Sequence, residues 1–147
     1  MRIIACLTMQ HDLLLVALAA LICVVGALIT MRLYQRCLHA ERGAATSWIF
    51  LGAVAGGSTI WCTHFVAMLA YRPGVEVSYD PALTGVSLAV AISSCALSFA
   101  AAQMRLRRAP ELGGAVFGAG VSAMHYAGMS AFGANGVIEW SAIYVIL

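Results

Sequence analysis

Between Asp12 and Arg32 the chain carries no charge, and three further stretches share this property: Ala44 to Tyr71, Ala82 to Met104 and Leu112 to Phe132. About 20 apolar residues in an α-helix cross the hydrocarbon core of a bilayer. Each stretch meets that length. A signal peptide would have an apolar run of about 7–15 residues; the first stretch is longer and is followed by Arg32 and Arg36, so it reads as a retained helix. Composition agrees, with 63% hydrophobic and 10% charged residues, against about 25% charged in soluble domains. The expectation is an all-α integral membrane helix bundle with four full spans. A fifth apolar run starts at Trp140 and stops at Leu147, so the chain is read as holding the start of a fifth helix and as truncated there.

Arginines orient the spans. There is no lysine; Arg32, Arg36 and Arg42 cluster in one connection and Arg105, Arg107 and Arg108 in another, while segment 133–139 has no positive charge. The positive-inside rule puts the arginine-rich connections in the cytoplasm. The N-terminus and the segments 72–81 and 133–139 are then expected outside.

An internal repeat follows from aligning two helices. Trp61 to Tyr71, WCTHFVAMLAY, overlays Ser122 to Phe132, SAMHYAGMSAF, matching His64 with His125, Phe65 with Tyr126, Ala67 with Gly128 and Met68 with Met129. The odd helices also begin alike, at His11-Asp12 and at Tyr79-Asp80, with Glu139-Trp140 as a further start. This divides the single domain 1–147 into a first helix pair over 11–71, a second over 79–132 and the beginning of a third over 139–147.

Counting at 1.5 Å per residue from the cytoplasmic arginines places His11, His64 and His125 at heights of about 32, 33 and 26 Å. Three histidines therefore share one level near the outer face. His39 falls in a cytoplasmic loop. His64 and Met68, like His125 and Met129, are spaced i, i+4 and stack on one helix face. Thioether sulfur selects Cu(I) and imidazole suits copper, zinc, iron and nickel, so the mixture points toward copper. Met129 is the better placed thioether, because Met124 adjoins His125 in sequence and points about 100° away. Each of these residues has an ordinary alternative: histidines in membrane helices hydrogen-bond neighbouring helices, and methionine commonly fills gaps. Trp61, Tyr71, Tyr79, Phe132 and Trp140 suit an interfacial aromatic belt, whereas the deeper Tyr126 needs a partner for its hydroxyl.

The pattern Met124-His125-Tyr126 with Gly128-Met129, the paired THFVAML around His64 and the leading His11-Asp12 resembles the MHYT domain, a bacterial integral-membrane sensory module, over nearly the whole chain. The resemblance implies three repeats in six or seven helices of a bacterial inner membrane, sensing of a diatomic gas such as oxygen, carbon monoxide or nitric oxide through bound copper, and fusion to a cyclic-di-GMP enzyme or histidine kinase. It carries His11, His64, Met68, Met124, His125 and Met129 over as metal-site residues, with Tyr126 beside them. Thr63 stands where the motif has methionine, and the third repeat is missing.

Two other readings stay open. Two imidazoles on facing helices can ligate haem axially, and polar groups within a membrane can mark a metal-ion transport pathway. No enzymatic activity is expected, since no nucleophile with a base and no carboxylate pair is visible, and no nucleic-acid partner is expected. Gly52 to Gly56 and Gly114 to Gly118 are G-x-x-x-G spacings that would let the second and fourth helices approach. Ser93, Ser94 and Ser98 read as interhelical hydrogen-bonders, and Cys23 and Cys95 as packed thiols.

Overall fold

The computed structural model describes residues 12–71 and 77–134. Its elements in order are α1 (Leu13–Leu38), α2 (Arg42–Ala70), β1 (Val77–Tyr79), α3 (Pro81–Ala102), α4 (Ala109–Ala131) and β2 (Phe132–Ala134). His11, Cys6, Pro73-Gly74 and the run Trp140 to Leu147 lie outside the described residues.

Aspartates start the odd helices. The Asp12 carboxylate accepts from the Leu14 amide at 3.0 Å and the Asp80 carboxylate from the Leu83 amide at 2.9 Å. Both satisfy amides that have no partner within the helix. Pro81 occupies the first turn of α3, where its missing N–H costs nothing. At the end of α1 the His39 ring Nδ1 lies 2.8 Å from the Gln35 carbonyl, in an exposed position.

Consecutive helices pack antiparallel, so α2 and α3 form the centre and α1 and α4 flank them. One bond closes each pair at the end remote from the arginine-bearing connections. The Asp12 amide donates to Ala70 O at 2.8 Å, and the Asp80 amide donates to Ala131 O at 2.9 Å. At the opposite end the Cys37 thiol meets Ala45 O and the Gln103 side chain. An antiparallel ribbon joins the remote ends of the two pairs, with Val77 opposite Ala134, Ser78 opposite Gly133 and Tyr79 opposite Phe132. The ribbon is three residues long on each side, a small addition to a bundle that is otherwise all-α as expected.

Small side chains fill the interior: Ala53, Ala91, Cys95, Ser87 and Ala131 are buried, and Met124 is the largest fully buried one. Lipid offers no hydrophobic drive between helices, so close backbone approach and interhelical hydrogen bonds hold them together. At Gly57 a Cβ would lie 2.6 Å from the Ile92 backbone. The Ser98 hydroxyl donates to Gly113 O at 2.9 Å. The G-x-x-x-G of α4 is not the packing face, however: Gly114 and Gly118 both face open space, and α4 turns Gly113 and Gly120 toward α3 instead. Spacing alone does not say which side of a helix meets a neighbour. Cys95 is buried as expected, but Cys23 is exposed.

Leu14, Leu21, Leu28, Phe50 and Leu97 point outward. Contiguous apolar exteriors are rare on soluble monomers, and this one fits acyl chains. Leu13–Leu38, Gly43–Ala70 and Pro81–Ala102 are long and apolar enough to cross a membrane. The fourth expected span, α4, has 23 residues but is not one of these three. Its glycines, serines, His125 and Tyr126 dilute its apolar character.

Candidate metal centre

Six residues before their last residues, Ala70 and Ala131, α2 and α4 carry His64 and His125. The two rings meet edge to face, with centroids 5.0 Å apart and planes at 72°. His64 is half-buried and His125 exposed. An aromatic wall backs His64. Trp61 Nε1 donates to Ser87 Oγ at 3.0 Å and to Thr84 O at 3.2 Å, fixing α2 to α3. The Trp61 ring then packs on Phe65 at 4.7 Å, and Phe65 stands edge-on to His64 at 5.2 Å. Tyr79 of β1 covers the far side of Phe65 at 5.9 Å. Burial pushes the Tyr79 phenol above its ordinary value, so it stays neutral.

α4 reaches this wall at Gly128. A Cβ there would lie 2.9 Å from His64 Nε2 and 3.4 Å from Phe65 Cζ. That Nε2 is buried and has no hydrogen-bond partner among the described residues, as do the Thr63 and Thr30 hydroxyl oxygens. Unpaired polar atoms inside a membrane are costly. His64, Thr63 and Thr30 all line one open groove of about 940 Å³ between α1 and α4, together with His125, Met124 and Tyr126.

The structure thus brings together two of the three histidines of the sequence reading; the third, His11, precedes the first described residue. Met124 is 2% exposed and lines the groove with both imidazoles. Met68 and Met129 are half-buried, one turn beyond their histidines, and do not line it. The preference for Met129 came from stacking along one helix, whereas the groove gathers residues from four. Tyr126 is exposed, and its ring packs on His125 at 5.5 Å. Among the described residues no three histidine, cysteine or acidic side chains converge. Thr63, Tyr126 and the Met124 thioether line the same groove as the two imidazoles.

Trp61, Thr30 and Gly128 were missed as parts of the site. Trp61 reads as an ordinary belt residue, and nothing in its sequence neighbourhood announces its bond to Ser87. Gly128 did leave a signal, because the repeat alignment sets it against Ala67.

The donor set fits a soft ion. Two imidazoles sharing one metal have centroids within about 6 Å of each other, given metal–nitrogen bonds of about 2.0–2.1 Å. Here the separation is 5.0 Å, beside a buried nitrogen that lacks a partner.

Residues 57–115 and 118–147 match MHYT, described as a bacterial signalling protein N-terminal repeat. The chain belongs to the MHYT family. An uncharacterized signaling protein of Caulobacter vibrioides is 41% identical over 95% of this chain and 17% of its own length. MucR of Pseudomonas aeruginosa, a bifunctional diguanylate cyclase/cyclic di-GMP phosphodiesterase, is 34% identical over 83% of this chain and 18% of its own. The cyclic di-GMP phosphodiesterase NbdA of the same organism is 42% identical over 57% of this chain and 11% of its own. The chain spans less than a fifth of the length of these curated relatives. No solved structure matches it.

Proposed function

We propose that this MHYT chain is a sensory input module of a bacterial inner membrane, in which His64 and His125 hold copper near the periplasmic face and report a diatomic gas or redox state. The observation that carries the reading is the histidine pair itself, two imidazoles 5.0 Å apart on facing helices with His64 Nε2 buried and unpartnered. Met124 is the thioether that lines the groove with both rings, and Met68, Met129 and His11 complete the candidate ligand set. Bound copper would supply a redox-active centre able to take a small diatomic ligand. Phe65, itself packed between Trp61 and Tyr79, holds the His64 ring in place.

In this reading α4 is the fourth span, the segment from Trp140 begins a fifth, and the helix pairs 11–71 and 79–132 are successive repeats. Arg32, Arg36, Arg105, Arg107 and Arg108 lie at one end of the bundle, and that end is cytoplasmic. The N-terminus is periplasmic. Cyclic-di-GMP enzymes among the relatives support an output domain of that type, and the chain itself acts as a sensor and not as a catalyst. His64 and His125 could instead hold haem iron, and the buried thioether of Met124 in the same groove is what favours copper here.

Metal analysis of detergent-purified protein tests the reading. The parent should hold copper stoichiometrically, and His64→Ala and His125→Ala should each lose it while remaining folded. Retention of copper by both variants would remove the histidines from the site and return them to helix packing.

A further inference from the structure

The interface that joins the two helix pairs recurs in the molecule as two exposed halves. On α2 it is made by Gly56, Gly57 and Trp61. A Cβ on Gly57 would lie 2.6 Å from the Ile92 backbone and one on Gly56 3.4 Å from Cys95 Sγ, and Trp61 Nε1 donates to Thr84 O at 3.2 Å. Residue 57 aligns with residue 118, the starts of the two family matches. In that register the three positions become Phe117, Gly118 and Ser122 of α4, and all three are exposed. The other half lies on α1. With Asp12 set on Asp80, the buried α3 residues Ala91 and Cys95 correspond to Cys23 and Ala27, both exposed. Phe117 and Ser122 on one side and Cys23 and Ala27 on the other line the same open groove. An α2-like face and an α3-like face thus stand across one groove, so the groove has the two walls that a further helix pair would meet.

The chain supplies the first part of such a pair. Ala134, the last described residue, leaves the bundle at the end from which β1 leads into α3. In the same register Val77-Ser-Tyr-Asp80 falls on Ile138-Glu-Trp-Ser141, and the connection from Ala131 to Ser141 has the length of that from Ala70 to Asp80. Serine, like aspartate, is a favoured helix start. The aromatic contacts point the same way. Tyr79 packs on Phe65 at 5.9 Å and Phe65 on His64 at 5.2 Å; in the second pair Tyr126 packs on His125 at 5.5 Å, and the residue aligned with Tyr79 is Trp140. A tethered segment also meets its seat at high effective concentration, an advantage that a second copy of the chain lacks.

We propose that the segment Glu139–Leu147 seats on α4 at Ser122 and Tyr126, as β1 and the start of α3 seat on Trp61 and Phe65 of α2, and so roofs the end of the groove where His125 lies exposed. Leu147 aligns with Val86, so the segment reaches Ser122 and not Gly118. The inference rests on the reading of the helix pairs as successive repeats and is independent of copper.

Thiol crosslinking in native membranes tests it, in the full chain with Cys6, Cys23 and Cys62 replaced by alanine. Ser122→Cys with Val145→Cys, at the counterparts of Trp61 and Thr84, should be joined within one chain by a short bis-methanethiosulfonate reagent in most of the protein. Glu139 is the only acidic residue between them, so glutamyl endopeptidase frees the fragment 140–147 from the denatured product wherever no crosslink formed. Ala123→Cys with Val145→Cys puts the first thiol at the same depth, exposed but about 100° round the helix, and should release the fragment. Equal crosslinking of both pairs, or none in either, overturns the inference. A crosslinked dimer gives the face to a second copy and overturns it as well. Should the cysteine variants fail to fold, Trp140→Ala decides: His125 should react faster with diethyl pyrocarbonate than in the parent, and an unchanged rate refutes the proposal. No copper enters either measurement, so a failure here leaves the metal reading to its own test.

Discussion

The two helix pairs are built on one plan and used differently. Each is closed by an aspartate amide donating to the last alanine of its partner helix, Asp12 to Ala70 and Asp80 to Ala131. Each carries a histidine six residues before that alanine. Yet at the motif's methionine position the first pair has Thr63, whose buried hydroxyl has no partner among the described residues, while the second has Met124, the largest fully buried side chain described. One residue on, His64 is half-buried and His125 exposed. Three positions further, exposed Ala67 stands against buried Gly128. The differences fall where the pairs touch each other, and the likenesses fall where each pair closes on itself. A repeat that packs against its own copy without symmetry must specialise its contact residues.

Substitution at the first unlike position should have the largest effect. Met124→Ala removes a side chain from a crevice formed with Ile60, Ala91, Ser94 and Cys95, and should cost about 2–5 kcal/mol of stability, the range for truncating buried large apolar residues. Thr63→Ala removes a hydroxyl without a partner and should leave stability unchanged or raise it by about 1 kcal/mol. Reversible denaturant unfolding in detergent measures both. Equal losses at the two positions would break the comparison, since the pairs would then use that position alike.

A second contrast concerns the glycines. At Gly57 a Cβ would lie 2.6 Å from both N and Cα of Ile92, a backbone that cannot shift without moving α3. Gly57→Ala should therefore destabilise by about 1–3 kcal/mol through overpacking. Gly118 meets nothing within 4 Å, so Gly118→Ala gains helix propensity and should stabilise by up to about 1 kcal/mol. Thermal unfolding of the two variants beside the parent reads the sign directly. A stabilising Gly57→Ala would mean that α2 and α3 stand further apart than the structure places them.

What could be read in advance follows the same division. Helix extents, the aspartate starts and the common level of His64 and His125 depend on local chemistry and on the rise per residue, and all are legible along the chain. Packing faces are not. Two G-x-x-x-G spacings look equivalent, but that of α2 lies against Thr30 and Phe99 while that of α4 faces open space. Trp61 has the composition of a belt residue, and only the approach of α3 turns its N–H toward Ser87. Met124 and Met129 change places as groove residues because four helices, and not one helical face, define the groove. The short ribbon Val77–Tyr79 with Phe132–Ala134 pairs residues far apart in sequence, with no alternating pattern long enough to announce it.

The smallest expected effect tests the shared part of the plan. Asp12→Ala and Asp80→Ala each remove a carboxylate that accepts a first-turn amide, and each should cost about 1 kcal/mol. The closing bonds to Ala70 and Ala131 are made by backbone amides and survive both substitutions, so the loss should stay local. Hydrogen exchange is the sensitive readout: the Leu14 amide should lose protection in Asp12→Ala and the Leu83 amide in Asp80→Ala, with the other helix start unchanged. Asp80→Asn keeps an accepting oxygen and should lose little. Pro81 pre-sets the first turn of α3, and Thr84 Oγ1 donates to Asp80 O at 2.7 Å, so fraying should spread less far in α3 than in α1. If Asp12→Ala instead unfastened α1 from α2 along its length while Asp80→Ala left α3 and α4 intact, the aspartate would be the clasp of the first pair and only an end cap in the second, and the two closures would not be equivalent.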